Sequence, residues 1–108
     1  MKNTKEEFLR HIKERKVLCA EISYKNCWDY ESDTKECKLH VGYTEEQYNA
    51  FVESLDFKYD AGYGGQELFG TIWYKDGTWS DRGEYDGSEW WNYQSCPGIP
   101  ENLLMNSL

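Results

Sequence analysis

The residue pattern predicts an α+β fold: an antiparallel sheet of about four to five strands with two helices packed on one face. Three observations carry this expectation. Residues 44–47, Thr-Glu-Glu-Gln, form a capping box ahead of Tyr48, Phe51, Val52 and Leu55, which repeat at helical spacing. Three strand-like runs then follow at short intervals, joined by Asp-Gly turns at 76–77 and 86–87. Aromatic residues make up 17% of the chain, far more than a disordered acidic segment would carry, so a packed core is expected.

In chain order, Thr4 is a candidate cap for a first helix, with Glu6 and Glu7 in its first turn to complement the dipole. Phe8 and Ile12 lie four apart, and the run 13–16 closes the helix with mostly basic residues. Residues 17–24 read as a strand in which Leu18, Ala20, Ile22 and Tyr24 alternate with smaller or more polar neighbours. Residues 25–37 read as a loop or wide hairpin connection, and 39–43 as a short strand. The second helix is predicted over 45–55, followed by a glycine-rich connection at 60–66. An antiparallel meander is predicted from 67–74, 79–85 and 88–93. Pro97 and Pro100 end regular structure, with a last helical turn at 101–105. At 108 residues the whole chain, 1–108, is expected to be a single domain.

Strand alternation sends Leu68, Ile72 and Tyr74 to one face of the meander and Phe69 and Trp73 to the other. Adjacent Trp90 and Trp91 must face opposite sides. Apolar rings on both faces imply that the helices cover one side and that something else meets the other.

Charge narrows the partner class. The net charge is −8, and its distribution is uneven. Residues 1–40 hold nine Lys and Arg against eight Asp and Glu, whereas 41–108 hold three against twelve. Such a surface repels phosphate backbones, so direct nucleic-acid binding is not expected, and a partner with a basic surface is. The polar start of the chain does not resemble a signal peptide, and no stretch approaches the roughly 20 apolar residues of a membrane span. No membrane partner is expected and a cytoplasmic location is, with Cys19, Cys27, Cys37 and Cys96 as thiols.

The candidate site is the acidic and aromatic cluster of Asp76, Trp79, Asp81, Glu84, Tyr85, Asp86, Glu89, Trp90 and Trp91. Aromatic anchors dominate binding energy and charges guide encounter, so the cluster points to a protein-binding face without catalysis. Carboxylates spaced on a rigid sheet also suit a mimic of duplex phosphates. The bland reading is solvated turn charges beside ordinary core rings. Two alternatives use other chemistry. Glu84 and Glu89 are strand neighbours, the distance a glycosidase pair needs, though no insertion forms a sugar-sized cleft. Cys37 and His40 have ligand spacing that Cys27 or Cys19 completes, but paired Cys-x-x-Cys elements are missing, and buried Cys is an ordinary small hydrophobe. No metal and no cofactor are expected. The basic residues Lys2, Lys5, Arg10, Lys13, Arg15 and Lys16 are diluted by Glu6, Glu7 and Glu14 and read as a solvated helix face.

Residues 64–74, Gly-Gly-Gln-Glu-Leu-Phe-Gly-Thr-Ile-Trp-Tyr, with 76–79, Asp-Gly-Thr-Trp, and 84–91, Glu-Tyr-Asp-Gly-Ser-Glu-Trp-Trp, resemble small uncharacterised proteins of tailed bacteriophages. The resemblance covers about the C-terminal half, through Cys96-Pro97. It implies a phage origin and no catalytic residues. By analogy with small acidic phage proteins it implies an inhibitor of a host defence or nucleic-acid-handling protein, acting in the host cytoplasm.

Overall fold

The computed structural model describes residues 2–25, 34–59, 65–85 and 88–96. A five-stranded antiparallel sheet is built from β2 (Val17–Lys25), β3 (Thr34–Leu39), β5 (Leu68–Tyr74), β6 (Trp79–Tyr85) and β7 (Ser88–Gln94), in the order β3-β2-β5-β6-β7. Helices α1 (Thr4–Ile12) and α2 (Glu45–Ser54) share one core with one face of that sheet. The α+β class and the meander follow the expectation. Two-residue strands β1 (Lys2–Asn3) and β4 (Lys58–Tyr59) pair as a separate small ribbon, which local patterning does not reveal.

The helices form where their sequences dictate. In α2, Thr44 Oγ1 accepts the Gln47 backbone N–H at 3.1 Å while Gln47 Oε1 accepts that of Thr44 at 2.9 Å, so the predicted capping box is complete. The cap of α1 is Asn3 rather than Thr4: Asn3 Oδ1 accepts the Glu6 N–H at 2.9 Å, and Thr4 becomes the first helical residue, buried. Phe8 and Phe51 meet edge to face with centroids 5.6 Å apart, joining the two helices. The basic run does not close α1. The helix stops at Ile12, because Lys13 turns into the left-handed region at φ 50°.

The strand expected at 39–43 lies earlier, at Thr34–Leu39, and 40–44 is a turn leading to α2. Within it, Cys37 and Leu39 point inward between Glu36, Lys38 and His40, which are exposed. Much of the expected 25–37 loop, the glycine-rich connection at 60–64, the turn at 86–87 and the helical turn at 101–105 lie outside the described residues.

Register assigns every side chain of the sheet to a face. Ala20, Ile22, Cys37, Leu39, Leu68, Ile72, Tyr74 and Trp91 are buried under the helices. Two charged groups lie among them. Arg82, opposite Trp91 in β6, has a side chain only 2% exposed. Its guanidinium lies 3.4 Å from Glu89 Oε1 and 3.4 Å from Glu7 Oε1, and it donates to the Tyr59 hydroxyl at 2.9 Å. Tyr59 donates in turn to Glu7. Glu89 also accepts the backbone N–H groups of Glu67 and Leu68 at 2.9 and 3.0 Å. Lys2 closes the set, 3.7 Å from Glu7 and donating to the Glu89 carbonyl at 3.0 Å. Arg82 and the half-exposed Lys2 thus offset the carboxylates of Glu7 and Glu89.

Removing one member of a buried ionic set leaves its partner charged and dry, which typically costs about 3–5 kcal/mol. Arg82→Ala is therefore expected to lower the stability measured by urea unfolding by that order. Arg82→Lys is expected to recover only part, because an ammonium does not reproduce the guanidinium fork.

Candidate functional site

Among the described residues the other face of the sheet is open, since neither α1 nor α2 packs on it. Register places Phe69 and Trp73 of β5, Trp79, Asp81, Gly83 and Tyr85 of β6, and Trp90 of β7 on this side. Phe69, Trp73 and Trp90 are between 39% and 41% exposed, Tyr85 is 77% exposed, and Trp79 is half-buried opposite Trp73. The meander thus presents five rings on this side, spread over three strands.

Trp90 is held in place. Its cross-strand partner is Gly83, and a Cβ added there would sit 2.5 Å from Trp90 Nε1 and 2.6 Å from its ring. The indole therefore lies over bare backbone, a packing that compensates for a glycine in a strand. Trp90 Nε1 also donates to Asn92 Oδ1 at 2.7 Å, fixing the ring's direction along β7. Gly70 allows a second close approach: a Cβ there would meet the Glu21 carbonyl oxygen at 2.5 Å. A depression of about 250 Å³ opens beside it, lined partly by Phe69, Glu21 and Lys38.

The nine residues read as one cluster from the sequence separate between the two faces. Trp79, Asp81, Tyr85 and Trp90 come together on the open side, with Asp81 accepting from Gln94 at 3.3 Å. Asp76 is exposed in the β5–β6 turn, where the Thr78 hydroxyl and N–H hold its carboxyl below the usual carboxylate range. Its role there is to shape the turn. Glu84 is exposed near the end of β6. Glu89 and Trp91 lie on the covered face and are buried. Asp86 lies outside the described residues. Phe69 and Trp73 complete the open face; alternation in 67–74 had already turned them that way, but their distance in sequence from the acidic run kept them out of the cluster.

The alternative chemistries find less support in the geometry. Each carboxylate oxygen of Glu89 accepts a backbone N–H, so the group is bound into the fold. Cys37 points into the core with Sγ donating to the Ser54 carbonyl at 3.6 Å, whereas His40 lies exposed beyond the end of β3. Cys27 lies outside the described residues, and among the described residues no three His, Cys, Asp or Glu side chains converge as a metal-sized set. Cys19, Cys37 and Cys96 are free thiols.

Under the sheet, His11 of α1 joins a polar chain. Its Nε2 shares a hydrogen bond of 2.7 Å with Ser80 Oγ, which shares another of 2.7 Å with the Tyr74 hydroxyl. Desolvation lowers the His11 pKa below 6.5, with Arg15, Arg82 and Lys13 adding repulsion and Glu7 opposing them.

Compared with protein-family models, curated proteins and solved structures, the chain matches none.

Two expectations follow. Gly83→Ala must displace the Trp90 ring, so near-ultraviolet circular dichroism should change and stability should fall by about 1–3 kcal/mol, the usual cost of overpacking. Unchanged spectra would show that Trp90 does not rest on Gly83. For His11, the folded protein binds fewer protons than the unfolded chain at mildly acidic pH. Stability is therefore complete above pH 6.5 and declines as pH falls from 6.5 to the lower folded value. In thermal unfolding across pH 5–8, His11→Gln should flatten that part of the profile.

Proposed function

We propose that this chain is a non-enzymatic binding module, of the phage-encoded inhibitor type, that grips a host protein through the open face of its meander. The observation that carries this reading is the set of five rings, Phe69, Trp73, Trp79, Tyr85 and Trp90, on a sheet face that neither helix covers. Exposed aromatic groups of this kind mark interaction surfaces, and their rings serve as anchors.

The charges around the rings favour a protein over a nucleic acid. Stacking platforms for single strands need a positive groove along the backbone. Here register places Glu21, Glu36 and Asp81 on the open side against Lys25 and Lys38, and Lys38 lies 3.7 Å from Glu21. With a net charge of −8, the chain is steered toward a basic protein surface. The resemblance of the C-terminal half to small tailed-phage proteins supports a bacterial host as the source of that partner. A host defence or nucleic-acid-handling protein fits both arguments. The rings supply the affinity in this reading, and the remaining acidic residues, Asp76, Asp81 and Glu84, supply the approach, whether or not they also imitate duplex phosphates.

The test is a pull-down from bacterial lysate with the immobilised chain at low and high salt, read by mass spectrometry. One enriched protein is expected, held less well at high salt. It should be lost from the double variant Trp73→Ser with Tyr85→Ser, since each anchor contributes on the order of 2 kcal/mol or more. Equal recovery by that variant would move the interface off the open face. Self-association of the chain through the same rings, seen by light scattering, would replace the host protein with a second copy.

A further inference from the structure

The far side of the molecule from the open face carries a different surface. Between α1 and β7 lies a cavity of about 390 Å³ lined by Glu7, Arg10, His11, Lys13, Arg15 and Trp91. Cations in the last turn of a helix complement its dipole, so Arg10 and His11 alone signify nothing more. Three further observations go beyond that.

The first is the floor. Trp91 is 7% exposed, and its indole N–H is buried with no hydrogen-bond partner among the described residues. Buried donors in native proteins are nearly always satisfied, and an orphan calls for an acceptor. Among the described residues none supplies that acceptor, and the ring that carries the donor lines the cavity. The second is preorganisation. Arg15 Nη1 donates to the His11 carbonyl at 2.8 Å, and its guanidinium lies 3.9 Å over the Tyr93 ring, so this cation is held in place at the rim. Lys13 sits beside it at φ 50°, a left-handed conformation that glycine adopts more easily, and its exposed ammonium adds another positive charge.

The third is charge. Arg10, Lys13 and Arg15 are permanent cations, and the one carboxylate in the lining, Glu7, is already engaged by Tyr59 and Arg82. Since Glu7 is neutralised within the buried ionic set, the three cations leave the lining net positive, in a chain whose total is −8. A carboxylate ligand brings one charge and two oxygens. A phosphate monoester brings about −1.5 to −2 at neutral pH and three terminal oxygens, and so suits a lining with three cations better than a carboxylate does. The volume is in the lower part of the small-molecule range of roughly 300–1,000 Å³, larger than one bare phosphate needs.

We propose that this cavity binds the phosphoryl group of a small phosphate monoester, with Arg10, Lys13 and Arg15 as the charged donors and the Trp91 ring in its floor. The site is independent of the open face, because it uses α1 and the covered side of β7.

The test follows the Trp91 indole N–H and the His11 ring by NMR while inorganic phosphate, ribose 5-phosphate or adenosine 5′-monophosphate is added at constant ionic strength. Acetate and adenosine serve as controls. Saturable shifts confined to α1, the segment after it and β7 are expected with the phosphates and not with the controls. The anion should also raise the His11 pKa, since it relieves the repulsion from Arg15 and Lys13. Arg10→Gln with Lys13→Gln changes two exposed side chains, so the dispersed spectrum should persist while affinity falls at least about tenfold. Tighter binding of the two esters than of inorganic phosphate would show that the ester group is also held, as the volume suggests. The proposal is overturned if none of the phosphates gives a saturable shift, if acetate shifts the same signals equally, or if the double variant binds as well as the parent chain.

Discussion

The buried guanidinium of Arg82 is the constraint on which the remainder of the structure depends. An unpaired charge cannot stay under a sheet, so wherever Arg82 goes it must draw carboxylates with it. Glu7 comes from α1 and Glu89 from the edge strand, while Tyr59 comes from the small ribbon. One side chain therefore fixes the position of three elements that are distant in sequence. Glu89 extends the constraint by binding the N–H groups at the start of β5. The apolar core under β2 and β5 supplies the bulk of the driving force, but it does not specify where α1 lies along β6 and β7. The ionic set does.

That arrangement explains why the fold was legible from the sequence and the site only half so. The capping box of α2 and the alternation of the meander are local, set by residues three or two apart, and both appear as read. β3 was misplaced because its inward residues, Cys37 and Leu39, are separated by Lys38 and flanked by Glu36, while Leu39–Tyr43 looks more apolar in isolation. The two-residue ribbon of β1 and β4 has no local pattern, since it pairs segments 56 residues apart through their packing around α1 and α2. Asn3 and Thr4 are both competent caps, and only the depth at which Thr4 is buried decides between them.

Glu89 shows the limit most clearly. Beside a turn, in a run with four other acids, it has every mark of a solvated carboxylate, yet it is buried. Its identity as a structural group depends on Arg82 seven residues back in the facing strand and on amides more than 20 residues away. Trp91 was separable from Trp90 by alternation alone, but which of the two lay inward depended on where the helices sat. The acidic cluster was thus a projection of two faces onto one line of sequence.

Once the faces are separated, the charge asymmetry of the chain gains a spatial meaning. Most of the basic residues fall in the first 40 positions, and three of them, Arg10, Lys13 and Arg15, line the cavity with Trp91. The rings that alternation sends the other way share the open side with Glu21, Glu36 and Asp81 against Lys25 and Lys38. A single sheet thereby separates a cationic, concave surface from an aromatic, flat one, with β7 contributing Trp91 to the first and Trp90 to the second. Two adjacent tryptophans in an edge strand are wasteful if only one face matters, since a large exposed ring gains nothing from solvent. They make sense if both faces have something to meet.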